Sequence, residues 1–114
     1  MKKVYNLLGI AQRAGKLSSG TMAAKQSLTR HRAVLLILSD DIAANSREDL
    51  LNCSQRQRIP AIALGSKFDL GTALGKAYRV ALTINDIGIA KAIMQELAES
   101  GEEIKTMGVV EWPK

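Results

Sequence analysis

An α/β sandwich, with helices on both faces of a small mixed sheet, is the single-domain fold that this chain of 114 residues predicts. Three observations point to it. Segments with apolar residues at helical spacing alternate with short apolar runs along the chain, the order expected of helix–strand units joined by short connections. The run Ala33-Val34-Leu35-Leu36-Ile37-Leu38 is apolar without alternation, as in a central strand covered on both faces. A hydrophobic fraction of 46% argues against disorder, and the length suits one compact domain.

The elements follow in order. Val4, Tyr5, Leu7, Leu8 and Ala11 form one apolar helical stripe, with Gly15 placed as a C-cap. Leu17-Ser18-Ser19 is short enough for a strand fragment. A second helix is predicted from Gly20-Thr21 to about His31, with Ala24, Ser27 and Leu28 inward. After the strand at Ala33–Leu38, Asp40-Asp41-Ile42-Ala43 reads as a turn. Ser46 with Asp49 has capping-box spacing and predicts a third helix through about Arg56. Ala61-Ile62-Ala63-Leu64, after Pro60, reads as a buried strand. Ser66 with Asp69 repeats the capping-box spacing and opens a short helix that Gly75 can end. Arg79–Ile84 is the next strand, and Asp86 can cap a last helix from Ile87 to about Glu99. Residues 1–100 form the predicted domain. Residues 101–114 lack periodicity and are expected to be a loosely held tail, with Trp112 able to dock on the body.

Charge is distributed unevenly. Lys2, Lys3, Arg13, Lys16, Lys25, Arg30 and Arg32 precede the first acid, Asp40, so the first 39 residues carry +7 while the chain as a whole carries +5. Such a carboxylate-free stretch is expected where a surface approaches a polyanion. No apolar run is long enough to span a bilayer. Asn6, Gln12 and Arg13 interrupt what would be a signal peptide's core, so a cytoplasmic protein without membrane contact is expected.

Catalytic constellations are scarce. Cys53 is the single cysteine and His31 the single histidine, so no disulfide or metal-ligand spacing exists. Gly71-Thr72-Ala73-Leu74-Gly75-Lys76 has a superficial likeness to a phosphate loop. However, it closes a helix instead of opening one, and Ala77 follows the lysine. Asp40 and Asp41 stand where α/β enzymes place functional groups, but with no acid–base partner they read as turn residues. No enzyme activity, cofactor, metal or small-molecule substrate is expected.

The parts that RNA binding requires are present. A helix opening at Gly20-Thr21 offers free amides and close backbone approach, flanked in sequence by Lys16, Lys25 and Arg30. Lys76-Ala77-Tyr78-Arg79 places two cations around an aromatic ring on which an unstacked base can rest. Spacing alone does not separate that role of Tyr78 from a half-buried position at a strand start.

Asp69-Leu70-Gly71-Thr72-Ala73-Leu74-Gly75-Lys76-Ala77-Tyr78-Arg79-Val80 resembles the Leu-Gly-x-Ala-x-Gly-Lys-x-aromatic-Arg-Val segment of ribosomal protein 30e. The likeness continues through Ala14-Gly15-Lys16-Leu17-x-x-Gly20, through Ala33–Leu38 with Ser39-Asp40-Asp41, and through Ile59-Pro60. It covers residues 3 to about 98 in the order of the ribosomal protein 7Ae/30e superfamily of kink-turn-binding proteins. Within that superfamily it looks most like the small bacterial YlxQ-like subgroup. The resemblance implies a three-layer α/β/α sandwich that binds ribosomal or other structured RNA, with the ribosome among its partners. It implies that Gly20, Thr21, Lys25 and Gln26 engage the phosphate backbone, with Lys16 and Arg30 steering. Tyr78 would cover an extruded base beside Lys76, Arg79 and Val80, while Asp40, Asp41 and Ile42 would adjoin the bound strand.

One departure from the pattern stands out. The 7Ae type has Gly-x-Asn-Glu-x-x-Lys at the opening of this helix, where Asn and Glu read guanine edges. Here Met22 and Ala23 stand in the Asn and Glu places, and Gln26 in the Lys place, with Lys25 one residue early. The resemblance therefore implies RNA binding with poorer reading of standard kink-turns. The alternative is a protein–protein adaptor on the same fold.

Overall fold

The computed structural model describes residues 2–100 and 105–107. Along the chain run α1 (Lys2–Arg13), β1 (Leu17–Ser19), α2 (Thr21–Thr29), β2 (Leu35–Leu38) and α3 (Ala44–Arg56). Then come β3 (Ala61–Ala63), α4 (Lys67–Ala73), β4 (Ala81–Ile84), α5 (Ile87–Ser100) and β5 (Lys105–Met107). The strands form one mixed sheet in the order β1-β4-β2-β3-β5; β2 and β3 pair in parallel, and the other pairs are antiparallel.

Period-two alternation divides the core into two layers even where every strand residue is buried. Leu35, Ile37, Ile62, Leu82 and Ile84 face α1, α4 and α5, packing with Val4, Leu8, Leu70, Ile93 and Leu97. Leu36, Leu38, Ala61 and Ala81 face α2 and α3, packing with Ala24, Leu28, Leu50 and Cys53. The expected three-layer sandwich is the result. Ser27, on the inner side of α2, is satisfied by donating to Asn85 Oδ1 at 2.8 Å. Asn85 also accepts from Thr83 and donates to Ser18, which ties α2 to the sheet.

Four helices end in the same way. In each, the residue after the C-cap has positive φ and its amide donates to a carbonyl three residues back, while the next amide donates to a carbonyl five residues back, the paired bonds of a Schellman motif. Gly15 and Gly75 occupy that left-handed position after α1 and α4. After α2 and α3 the position is held by His31, at φ 60°, and Arg58, at φ 57°.

The capping box at Ser66 forms: the Ser66 hydroxyl accepts from Asp69 N, and Asp69 accepts from Ser66 N, both at 3.1 Å. Asp86 caps α5 by accepting from Ile89 N at 2.9 Å. The capping box at Ser46 does not form. Helix α3 starts earlier, with Ala43 as a side-chain-free N-cap, and Asp49 turns instead to Lys25. The turn before it is set by tertiary bonds, Asp40 N to Gly65 O and Lys67 N to Asp41 Oδ1, which start the helix before Ser46 is reached.

Other boundaries shift modestly. Helix α2 stops at Thr29, and β4 begins at Ala81, leaving Arg79 and Val80 in a loop. Of the segment expected to be a loose tail, Lys105–Met107 pairs with β3 as an edge strand; the rest, including Trp112, lies outside the described residues. No helix among the described residues is long and apolar enough to cross a membrane.

Candidate nucleic-acid interface

Strand directions decide which loops meet. β1, β2 and β3 run the same way and β4 runs against them, so the ends of β1, β2 and β3 lie beside the start of β4. Four segments far apart in sequence converge there: the opening of α2, the 39–42 turn, the start of α4 and the 75–80 loop.

Backbone bonds lock these segments together. Gly20, with φ 99° and ψ 156°, leads from β1 into α2, and its amide donates to Ala81 O at 2.9 Å. No side chain caps α2, so its first-turn N–H groups meet no side-chain acceptor. Ser39 N donates to Val80 O at 2.9 Å, and Asp40 N to Gly65 O at 2.7 Å. The 75–80 loop lies directly on α4: Lys76 N donates to Gly71 O at 2.8 Å and Arg79 N to Lys67 O at 2.9 Å. Gly71 makes this possible, because a Cβ there would stand 2.5 Å from Tyr78 Cα.

Side chains then fill the surface. Tyr78 is 55% exposed, so the structure gives it an accessible ring instead of the half-buried alternative. Phe68 is 58% exposed, and the Lys67 ammonium lies 5.3 Å from its centroid and 5.7 Å from that of Tyr78. Arg79 is held by donating from Nε to Ser19 Oγ at 3.3 Å and from its guanidinium to Tyr78 O at 2.8 Å. Met22, 76% exposed, stands on the first turn of α2. Lys76 and Gln26 are exposed, Thr21 and Val80 half-buried.

Several expected site residues are placed otherwise. Ile42 packs inward in the α2–α3 layer, so the turn offers Asp41 and not Ile42 to a ligand. Lys25 is exposed but engaged, its Nζ 3.0 Å from Asp49 Oδ2. Lys16 and Arg30 do not flank the opening of α2. Lys16 precedes β1, where its carbonyl accepts from Asn85 N, and Arg30 follows the last turn of α2; both lie at the opposite end of the sandwich. Lys67 and Phe68 were not singled out from sequence. The available signal was a large apolar residue at the second position of a capped helix, off the inward stripe of Leu70 and Leu74.

Charge at this end is mixed. Lys25, Lys67, Lys76 and Arg79 stand among Asp40, Asp41, Asp49 and Asp69. The Ser39 hydroxyl does most to hold the Asp41 carboxyl below its ordinary range, although it is buried without a partner in full hydrogen-bond geometry. Desolvation opposes the hydroxyl, and the amides of Lys67 and of Asp41 itself act with it in lesser measure. Asp41 is therefore a structural acceptor at the start of α4. No group of metal-ligating side chains occurs among the described residues.

A family model described as "Ribosomal protein L7Ae/L30e/S12e/Gadd45 family" matches residues 2–94. The chain belongs to that family. Within the L7Ae/L30e family it is 29% identical over 93 residues to the RNA-binding protein YlxQ of Bacillus subtilis, covering 82% of this chain and 93% of that protein. It is 25% identical over 107 residues to the large ribosomal subunit protein eL8 of Thermoplasma volcanium, covering 91% and 87% of the two chains. A structure of a protein of unknown function from Bacillus halodurans superimposes with a TM-score of 0.79 at 29% identity, covering 84% of this chain and 97% of the other. The Giardia lamblia 15.5kD RNA binding protein shares the fold, with a TM-score of 0.66 at 20% identity and coverage of 83% and 82%.

Proposed function

We propose that this protein is a non-enzymatic, cytoplasmic RNA-binding protein that holds structured RNA, in the ribosome or during its assembly, at the end of the sheet described above. One observation carries the reading: in a chain of the L7Ae/L30e family, the uncapped opening of α2 is bonded to the loop that presents Tyr78, through Gly20 N–Ala81 O and Arg79–Ser19. Amides of Thr21 and Met22 and the side chain of Gln26 take phosphates at a helix N-terminus, where the dipole favours them. Tyr78 and Phe68 are the two faces available to unstacked bases, and Lys67, between the rings, supplies charge. Stacking on an aromatic is worth about 1–3 kcal/mol per base, so Tyr78→Ala should weaken binding about ten- to a hundredfold.

Met22 and Ala23 make this interface a poor reader of guanine edges, since neither side chain can hydrogen-bond a base. The target is therefore an RNA whose shape and splayed bases matter more than tandem G·A pairs. Binding measured near physiological salt, with excess nonspecific competitor, tests this across a kink-turn, the same RNA with its G·A pairs replaced, and ribosomal RNA fragments. Specific binding lost in folded Tyr78→Ala supports the proposal; full affinity in that variant rejects the site.

The exposure of Met22 at the opening of α2 favours a second reading, a protein adaptor. Counterion release makes RNA affinity fall steeply with salt, whereas an apolar protein interface tolerates it. A salt titration separates the two.

A further inference from the structure

The excess positive charge of this protein does not lie at the interface just proposed. Of the seven cations in its carboxylate-free beginning, only Lys25 stands on the segments that form that interface, and it is paired with Asp49. The opposite end of the sandwich, where β1, β2 and β3 start and β4 finishes, carries Lys16, Arg30, Arg32, Arg56 and Arg58. All five are exposed, and none has a carboxylate within ion-pair distance among the described residues. The acid that follows β4 at this end, Asp86, accepts from Ile89 N as the cap of α5. Arg13, by contrast, folds back over Gly9 and is not part of the cluster.

Helix ends explain part of this arrangement, because a cation near a C-terminus is favourable. They do not explain its extent. Helix α2 alone is followed by Arg30, His31 and Arg32 in succession. More telling is the left-handed position after α2 and α3. Glycine fills it after α1 and α4, at the lowest backbone cost, whereas here His31 and Arg58 adopt φ near 60°. Basic side chains are thus present where the backbone favours glycine, twice, at the same end.

We propose that this end is a second RNA-binding surface, which grips the phosphate backbone of a duplex segment through Lys16, Arg30, Arg32, Arg56 and Arg58. From β1 to β3 the row spans three strand spacings, about 14 Å. Over that length a duplex presents about eight phosphate charges. Among the described residues this surface has no Phe, Tyr or Trp ring; its one ring is the His31 imidazole between Arg30 and Arg32, so its contacts go chiefly to phosphates. The protein would clamp one RNA in two places, or bring two segments together.

Arg58→Gly gives the sharpest test, because it removes a charge while relieving the backbone. The probe is a fully paired RNA duplex without bulges, with affinity measured against salt concentration. Arg58→Gly should raise the melting temperature yet weaken duplex binding and lower the log–log salt slope by about 0.9. Arg30→Gln with Arg32→Gln, whose fold is checked by circular dichroism, should lower the slope by about twice that. Unchanged affinity and slope in these folded variants would overturn the proposal. Equal displacement of the duplex by polyglutamate of matched charge would also overturn it, pointing to an acidic protein instead. Tyr78→Ala separates the two surfaces. It should leave duplex binding intact; a parallel loss there would return all RNA binding to the α2 opening and dismiss the second surface. If Tyr78→Ala affects no RNA while Arg58→Gly weakens the duplex, the second surface stands and the first interface falls.

Discussion

Gly71→Ala sets two physical effects against each other. Gly71 lies inside α4, where replacing glycine by alanine normally stabilises a helix by about 1 kcal/mol. Considered as an isolated helix, the variant should melt higher. In the folded protein, the new Cβ meets Tyr78 Cα at 2.5 Å, Tyr78 N at 2.7 Å and Ala77 C at 2.9 Å. Carbon atoms rest about 3.5–4.0 Å apart, so the 75–80 loop must retreat by about 1 Å. Every nearby atom is backbone, so no flexible side chain can swing away. The retreat strains Lys76 N–Gly71 O and Arg79 N–Lys67 O, the bonds that seat the loop. Overpacking of this kind costs about 1–3 kcal/mol, which offsets or exceeds the helix gain. Thermal unfolding should therefore show a melting temperature unchanged or lowered by up to about 10 °C. Fluorescence anisotropy with the RNA identified by the binding survey should show affinity reduced about tenfold, as Tyr78 is displaced from its stacking position. A variant that melts higher and binds RNA as tightly as the parent would refute both the tight seating and its role.

Other outcomes follow from the same geometry. Ser66→Ala, which removes a capping box, should cost about 1 kcal/mol in urea unfolding, while Ser46→Ala should stay within about 0.5 kcal/mol. Asp49→Asn should barely change stability, since exposed pairs contribute about 0–1 kcal/mol, but it frees Lys25. RNA affinity should then rise and the salt slope steepen by about 0.9; an unchanged slope would place Lys25 outside the interface. Asp41 has a folded pKa below its unfolded value, so its contribution to stability is present above the unfolded pKa and lost as pH falls through the folded one. The stability difference between the parent and Asp41→Asn should be full near neutrality and close progressively below about pH 4. A difference that persists in acid would mean Asp41 acts through shape alone.

The degree to which the chain could be read differed between its parts for physical reasons. Ser66 and Ser46 have the same spacing to an acid, yet only Ser66 caps a helix. A capping box is local, but the residue at which the chain turns into α3 is set by bonds from Asp40 and Asp41 to residues more than twenty positions away. The role of Tyr78 was ambiguous for a related reason. Its exposure depends on Gly71 admitting the loop onto α4, which no single-segment pattern expresses. The place of Phe68 off the Leu70–Leu74 stripe already turns it outward, but only the position of α4 beside the 75–80 loop sets it near Tyr78, with Lys67 close to both rings.

By itself, the sequence determined the α/β class, the helices and strands to within a few residues, the inward faces, two of the three proposed N-terminal helix caps and the family. These rest on periodicity, capping and motif, which are properties of neighbouring residues. The tertiary structure alone decided which residues share a surface. Because β4 inserts between β1 and β2, it carries Tyr78 and Arg79 to Gly20, and its far end to Lys16. Lys16 and Arg30 stand away from the helix opening they appear to flank because the lengths of β1 and α2 lie between, and the fold gathers both at the other end of the sheet. Charge can be counted along a sequence, but the direction in which it faces depends on strand order, set by packing between residues far apart in the chain.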